Sequence, residues 1–337
     1  MEHYDVVIVG AGPAGLFAGV HLDESLRILV VESQRFPPVK PCGEILIEHG
    51  DRILAELDPP PSVFAAPNRV TMRFVARDMD APTTKVGTAR TIDRKALAFW
   101  LDDLLPGSVE VTEGLRFVRA DPRDDGLAVT LRRADGAVET VETGLLVGAD
   151  GCLSRVRRGA FANRPETVDT VQHLYRAARP PRHADFIFDR ELARDYYVWA
   201  FPRGDDRVLV GCPRDGDRHL AVMAWARDEY QAIGAPLLVE RHPVARIHTL
   251  DDVELGNGRV LLIGEAAGFV SPASGEGLSL AFASGRAAAR AIVAAPDDPV
   301  PAYREACKPF IDLLAKELEL AERIRSRRSA PPAGREG

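Results

Sequence analysis

Tyr4 to Val9 is apolar apart from Asp5, the pattern of a strand buried on both faces of a parallel sheet. Glycines follow, then an apolar helix through about Leu22 and a second strand from Arg27 to Val31, which together predict one β-α-β unit. Residues 33 to 43 form a proline-rich loop. The pattern then predicts a helix from about Glu44 to Leu57, stopped by Pro59-Pro60-Pro61. Segments 69 to 76 and 84 to 91 alternate like strands, and Asp93 to Leu105 reads as a helix ended by Pro106-Gly107. Strands near 109 to 119, 127 to 133 and 137 to 147, separated by Asp-Gly turns, predict a meander. From 171 to 213 the chain is strand-rich, with a hairpin turning at Arg203-Gly204-Asp205-Asp206. A helix near 217 to 233, a strand around 244 to 250 and a buried strand at Arg259 to Ile263 follow. Glycine-rich sequence then leads into a helix ending near Ala295, and a long charged helix spans about 300 to 328.

The length of 337 residues suits one or two domains at roughly 150 residues each. With 46% apolar and 28% charged residues, the composition excludes a disordered or fibrous chain. The 43 basic and 50 acidic residues give a net charge of −7, which argues against a nucleic-acid partner. The four cysteines at 42, 152, 212 and 307 form no Cys-x-x-Cys pair, so no metal site is readable, and reduced thiols in the cytoplasm are expected. The amino terminus lacks the basic region of a signal peptide. No apolar run reaches the roughly 18 residues that span a bilayer, which leaves peripheral membrane contact open.

Gly10-Ala11-Gly12-Pro13-Ala14-Gly15 follows the first strand. Gly10 permits the tight turn, Gly12 lets a pyrophosphate approach the backbone, and Gly15 lets the helix pack on the sheet. The phosphate then sits on the positive helix end. Glu32, followed by Ser33, closes the second strand where a carboxylate can bind ribose hydroxyls. A dinucleotide-binding site is expected. No second glycine fingerprint exists for a separate NAD(P)H domain.

Two further segments bear on which dinucleotide: Gly148-Ala149-Asp150-Gly151-Cys152-Leu153-Ser154-Arg155, and Gly264-Glu265-Ala266-Ala267-Gly268 continuing through Pro272, Gly275 and Gly277 to Leu278. With the first fingerprint they resemble the motifs of the FAD-dependent para-hydroxybenzoate-hydroxylase superfamily. Lys40-Pro41-Cys42-Gly43 and Tyr197-Val198-Trp199-Ala200-Phe201-Pro202 resemble its geranylgeranyl reductase branch. The resemblance spans about residues 4 to 295. It implies an α/β (α+β) fold: a Rossmann-type FAD-binding domain (1–75, 84–165 and 245–298), an inserted antiparallel-sheet substrate domain (76–83 and 166–244), and a C-terminal helix and tail (299–337). It further implies FAD as cofactor and an external electron donor such as NAD(P)H. Asp150 would lie near the FAD pyrophosphate, and Gly264 and Glu265 would put a carboxylate on the ribityl chain, where the family usually has aspartate. Arg94 matches a family arginine near the FAD phosphates; the alternative is a surface charge on a helix. Pro272 to Leu278 would open the last helix with its amide groups facing the flavin N1–C2=O edge, and Gly275 and Gly277 would allow that close approach.

Cys42 would stand on the active-site side of the flavin as a proton source, or else be a small buried hydrophobe. Glu44 departs from the glycine usual in this branch and reads as a pocket acid or a helix amino-terminal residue. Tyr197, Trp199 and Phe201 alternate and so share one strand face, as a wall for a long apolar or planar ligand or as core packing. On the last helix, Phe310, Leu313, Leu314 and Leu318 precede a basic end at 323 to 328, a pattern that fits either anionic lipid or packing on its own domain. The expected activity is reduction of a C=C bond in an apolar isoprenoid- or polyketide-like substrate, with hydride from flavin N5 and a proton from Cys42, Glu44 or water. The second reading is a monooxygenase using NAD(P)H and O2. The third is a halogenase, for which Lys40 and Lys85 are the candidate lysines. The oligomeric state is not readable.

Overall fold

The computed structural model describes residues 1–38, 40–77, 83–194 and 196–329. The fold is mixed α/β, built on two sheets. In the first, β1 (His3–Val9) lies between β2 (Ile28–Glu32) and β9 (Val138–Gly148), all parallel; β6 (Val109–Glu113) extends the β2 side. Beyond β9 come β16 (Val260–Leu262), parallel to it, and the short β15 (Gly256–Asn257). The expected meander is β7 (Leu115–Arg123), β8 (Gly126–Arg133) and β9, antiparallel, while the first part of the predicted 109–119 strand is β6. Helices α1 (Pro13–His21) and α6 (Leu278–Ala294) pack together, with Phe17 and Phe282 ring centroids 4.9 Å apart.

The second sheet is antiparallel apart from one pair and runs β14 (Ala232–Arg246), β10 (Glu166–Ala177), β13 (Arg207–Pro213), β12 (Val198–Arg203), β11 (Ala184–Phe188), β4 (Phe64–Ala76), β5 (Thr84–Ile92), β3 (Ile45–Ile47). Three expectations differ from this arrangement. β4 and β5, expected beside the dinucleotide unit, pair within the second sheet, because β4 runs parallel to β11 from residue 72 to 76. The helix expected from Glu44 begins only at α2 (Glu48–Ala55), since Ile45–Ile47 pair with residues 89–91 of β5. The strand expected at 244–250 runs from 232 to 246, and the preceding helix, α5 (Arg218–Glu229), ends correspondingly early. Residues 78–82, inside the expected insert, and the tail 330–337 lie outside the described residues.

One face of the second sheet, with Val198, Ala200, Val208 and Val210, is covered by Val222, Met223 and Ala226 of α5. The opposite face carries Tyr197, just before β12, together with Trp199 and Phe201. The last helix, α7 (Val300–Ser329), turns Phe310 and Leu314 onto the main core and Leu318 onto Val270, Ala245 and Ile247. Three of the four apolar positions read as a candidate lipid-binding stripe are therefore spent on its own domain; Leu313 is exposed. Among the described residues no helix is long and apolar enough to cross a membrane.

Candidate active site

The glycine turn after β1 has three different surroundings. Gly10 sits at φ +109°, and a β-carbon there would lie 2.5 Å from the Ala149 carbonyl oxygen. One on Gly15 would lie 2.0 Å from the Gly10 oxygen. Gly12 has nothing within 4 Å of that position, so its surface faces an open cleft. Gly12 is also the N-cap of α1 without any side-chain cap, and Pro13 opens the helix. Unbonded amides at the positive helix end thus face the cleft, a ready site for an anion. Ala14 backs the turn against Gly264, where an added β-carbon would come within 2.8 Å of the alanine methyl. The buried Glu32 carboxylate accepts hydrogen bonds from the Ala11 amide (3.1 Å), the Gln34 amide (2.8 Å) and the Ser33 hydroxyl (3.2 Å).

Arg94 opens α3 (Arg94–Asp103), with Asp93 as N-cap accepting from the amides of Lys95 and Ala96. Its Nε is buried and has no partner, the condition a bound phosphate or other anion would relieve. The same guanidinium acts on Lys40, Glu44 and His242, so these groups converge. Lys40 pairs with Glu265, whose other oxygen accepts from the Ala245 amide at 2.9 Å. Burial works against the Lys40 ammonium, but the Glu265 charge outweighs it and holds the amine above its ordinary value. Burial likewise opposes the Glu265 charge, and Lys40 reverses the balance, leaving its carboxyl below the usual range. Burial, with Lys40 beside it, pushes His242 down to about 4.

Asp150 holds its own backbone turn. Its carboxylate accepts from the Ser154 hydroxyl (2.5 Å) and the Arg155 (2.6 Å) and Val156 (3.3 Å) amides at the start of α4 (Arg155–Ala160). Buried Arg157 donates to the carbonyls of Ala266 (3.2 Å), Asp252 (2.7 Å) and Asn163 (3.1 Å), clamping the Gly264–Ala266 turn.

Two loops meet the aromatic face of the second sheet. A β-carbon on Gly43 would lie 2.8 Å from the Phe201 ring, so the Pro41–Glu44 loop rests on that residue. From the other side, Gly275 at φ +67° leaves 2.7 Å between its β-carbon position and the Tyr196 hydroxyl, and the Tyr197 hydroxyl donates to the Ser274 carbonyl. Pro272 lies in this second loop, and Gly277 caps α6, which begins with the buried Leu278. Between the loops stand Tyr197, Trp199 and Phe201, joined by Phe186, whose ring centre is 5.3 Å from Tyr197 and 5.2 Å from Phe201. Trp199 lies flat across Gly211, where a β-carbon would come within 2.1 Å of the indole.

Cys42 and Glu44 are therefore both at this face. The Cys42 sulfur accepts from the Glu44 amide at 3.3 Å. Glu44, at φ +54°, pairs with Arg203 at 3.1 Å, and Arg203 also donates to the Gly43 and Pro202 carbonyls. Burial pushes the Glu44 carboxyl up, against the pull of Arg203. Arg203 escaped the sequence reading because the hairpin Arg-Gly-Asp-Asp is accounted for by its turn alone. Lys40 is legible in the sequence only as the first residue of the Lys40–Gly43 motif and as a halogenase candidate, and nothing local announces Glu265 as its partner. Lys85 is exposed on β5. Among the described residues no cluster of His, Cys, Asp and Glu could hold a metal ion.

No known family profile matches the chain. It is similar to protein CbrA of Escherichia coli (strain HS), 29% identical over 320 residues that cover 91% of this chain and 86% of the relative. Its fold is shared with a geranylgeranyl bacteriochlorophyll reductase-like protein of Thermoplasma acidophilum, at TM-score 0.80 and 20% identity, covering 98% of this chain and 89% of the other. The p-nitrophenol 4-monooxygenase PnpA of Pseudomonas putida shares it too, at TM-score 0.77 and 17% identity, covering 99% and 91%. These likenesses bear out the expected architecture of a Rossmann-type sheet, an antiparallel sheet and a C-terminal helix.

Proposed function

We propose that the chain is an FAD-dependent oxidoreductase that reduces a C=C bond in an apolar, isoprenoid- or polyketide-like substrate, with NAD(P)H or another external donor supplying electrons. The observation that carries this reading is the aromatic sheet face held between two loops, one bearing a thiol and the other leading into α6. The orphaned Arg94 nitrogen, the open Gly12 surface and the uncapped α1 terminus fit a dinucleotide pyrophosphate. When bound, FAD supplies the hydride.

The chain's own residues do the rest. Gly10 to Gly15 and Arg94 would hold the phosphates, and the Pro272–Leu278 loop would lie beside the flavin ring. Tyr197, Trp199 and Phe201 align a planar alkene and exclude water. A proton must reach the second alkene carbon. Cys42 can give it: its sulfur accepts from the Glu44 amide, which leaves S–H as the donor. Water then restores the thiol. Glu44, committed to Arg203, serves better as the anchor of this loop than as its acid.

The T. acidophilum likeness supports the reductase reading, and that to PnpA supports a monooxygenase using O2 as the alternative. The halogenase reading has less support, because Lys40 is tied to Glu265 and Lys85 is exposed. We place the protein in the cytoplasm. The test is to load the protein with FAD, reduce it under nitrogen, and expose it to air or to apolar alkenes. Direct reoxidation in air without a long-lived spectral change, together with saturated product from an alkene, is expected. Substrate-dependent oxygen consumption with a hydroxylated product would replace this reading by the monooxygenase. Failure to take up FAD at all would refute both.

A further inference from the structure

The outermost strand of the second sheet, β14, leaves its apolar side chains in water. Ile233, Leu237, Leu238 and Val239 are each between 44% and 55% exposed, and so is no other run of three successive large apolar residues among those described. Leu220 of α5, the helix packed against β14, is exposed as well. Apolar side chains scattered singly over a surface need no explanation, whereas a contiguous group does. Strand register connects this edge to the aromatic face. Phe201 stands opposite Leu209, Leu209 opposite Leu174, and Leu174 opposite Leu238. Residues directly opposite share a face of the sheet, so these four form one apolar row from β12 to β14. At the usual strand spacing the row is about 14 Å long. Phe201 and Leu209 at its inner end are buried, and its outer end opens to the surface at Leu238. The neighbouring row is Trp199, Gly211, Gln172 and Glu240. It reaches the thiol loop through Gln172, which donates to the Glu240 carboxylate (2.6 Å) and the Cys42 carbonyl (3.4 Å).

We infer that β14 docks on a lipid bilayer carrying anionic headgroups, with the outer end of the Phe201–Leu238 row against it. Docking does not depend on the flavin; only the use of the row by an apolar substrate rests on the oxidoreductase reading. Charge selects the lipid surface. Exposed Arg176 stands opposite Ile233, Arg227 donates to the Gly234 carbonyl at 2.9 Å, and exposed Arg241 follows on β14 with no carboxylate partner among the described residues. Of the nearby acids, Asp206 is shared by Arg176 and Arg207 at 3.6 Å each, Glu229 pairs with Arg77 at 3.3 Å, and Glu240 is held by Gln172. Asp228 is the exposed acid left against these arginines. Apolar side chains bordered by arginine suit a negatively charged bilayer, the apolar groups entering the headgroup layer and the guanidinium groups pairing with phosphate. A second copy pairing edge to edge is opposed by the strand itself. Pro236 and Pro243 remove two amides, and the register with β10 breaks between Leu174 and Arg176.

The test is co-sedimentation of the full chain, with and without added FAD, with vesicles of phosphatidylcholine alone and of phosphatidylcholine containing about one-third phosphatidylglycerol. Binding to the anionic vesicles is expected, several-fold weaker on the neutral ones and at about 0.5 M salt. Leu238→Glu, and separately the double change Leu237→Ser with Val239→Ser, should each weaken it about tenfold or more. Val138→Ser, at a comparably exposed apolar position on β9, should bind as wild type does. All these side chains are solvated, so melting should stay close to wild type in every variant. Undiminished binding by Leu238→Glu and the double variant, or no binding to either vesicle, would overturn the docking surface. A dimer in sedimentation velocity that Leu238→Glu abolishes, without vesicle binding, would assign the edge to a second copy and overturn it equally. If the vesicles bind as expected but no alkene is reduced, the reductase reading falls and the docking stands.

Discussion

Glu44 occupies a backbone conformation that glycine adopts freely, at φ +54°. For an L-residue that conformation costs about 1 kcal/mol. It is offset by the ion pair with Arg203, whose side chain is 8% exposed against 32% for Glu44. Breaking a buried pair costs about 3–5 kcal/mol. Partial exposure of Glu44, and the two carbonyls that Arg203 keeps, reduce the expected figure to about 2 kcal/mol. Glu44→Ala, which loses the pair and keeps the strain, should therefore destabilise by about 2 kcal/mol. Glu44→Gly loses the pair but relieves the strain, for a net loss of about 1 kcal/mol. Urea unfolding of the flavin-free protein reads both. Equal losses would show that the left-handed backbone is unstrained in this loop. A glycine variant more stable than wild type would show that the ion pair contributes nothing. Either result would refute the account of Glu44 as an anchor.

Four further outcomes are expected. Gly12→Ala should leave flavin-free melting unchanged yet weaken FAD binding at least tenfold, whereas Gly15→Ala should fail to give folded protein, its methyl lying 2.0 Å from the Gly10 oxygen; equal melting curves would contradict this. Gly211→Ala should displace the Trp199 indole, costing about 1–3 kcal/mol and shifting tryptophan fluorescence. Burial, followed by the charge of Glu317, raises Glu276 from 4.5 to about 7. Its contribution to stability is then complete below pH 4.5 and is lost as the pH rises to about 7, a loss of about 3 kcal/mol relative to Glu276→Gln. His242, at about 4, runs the opposite way, its contribution complete above pH 6.5 and lost towards pH 4; that is why the variant, not wild type alone, isolates Glu276. Lys40→Met should strand Glu265 as a buried unpaired acid, lowering thermal stability above pH 5 more than below it.

The glycine turn after β1 was legible because everything that shapes it is local: a strand, three glycines, a proline at the first helical position. The elements misread are those settled by distant partners. Ile45–Ile47 follows a loop that a left-handed residue has turned, and the strand exists only because β5 lies beside it. Residues 232 to 239 carry no clean alternation, because β14 is an outer strand whose Ile233, Leu237, Leu238 and Val239 are exposed. The site follows the same rule. Cys42 and the aromatic triplet lie inside short motifs. The partners of Glu44 and Glu265 sit 159 and 225 residues away, in segments whose own pattern is already explained as turn or loop.

The order of strands in the first sheet bears on how the protein is made. β1 and its glycine turn precede β9 by more than a hundred residues, and β16 comes later still. The back of the cradle is completed by α6, where Gly285 leaves only 2.6 Å between its β-carbon position and the Ala14 carbonyl. A nascent chain halted before residue 260 has no such backing: the β16 edge of β9 stays unpaired and the face of α1 that packs on α6 stays uncovered. Productive folding therefore waits until most of the chain has been translated, and in the interval the uncovered face of α1 and the open edge of β9 are natural targets for chaperones.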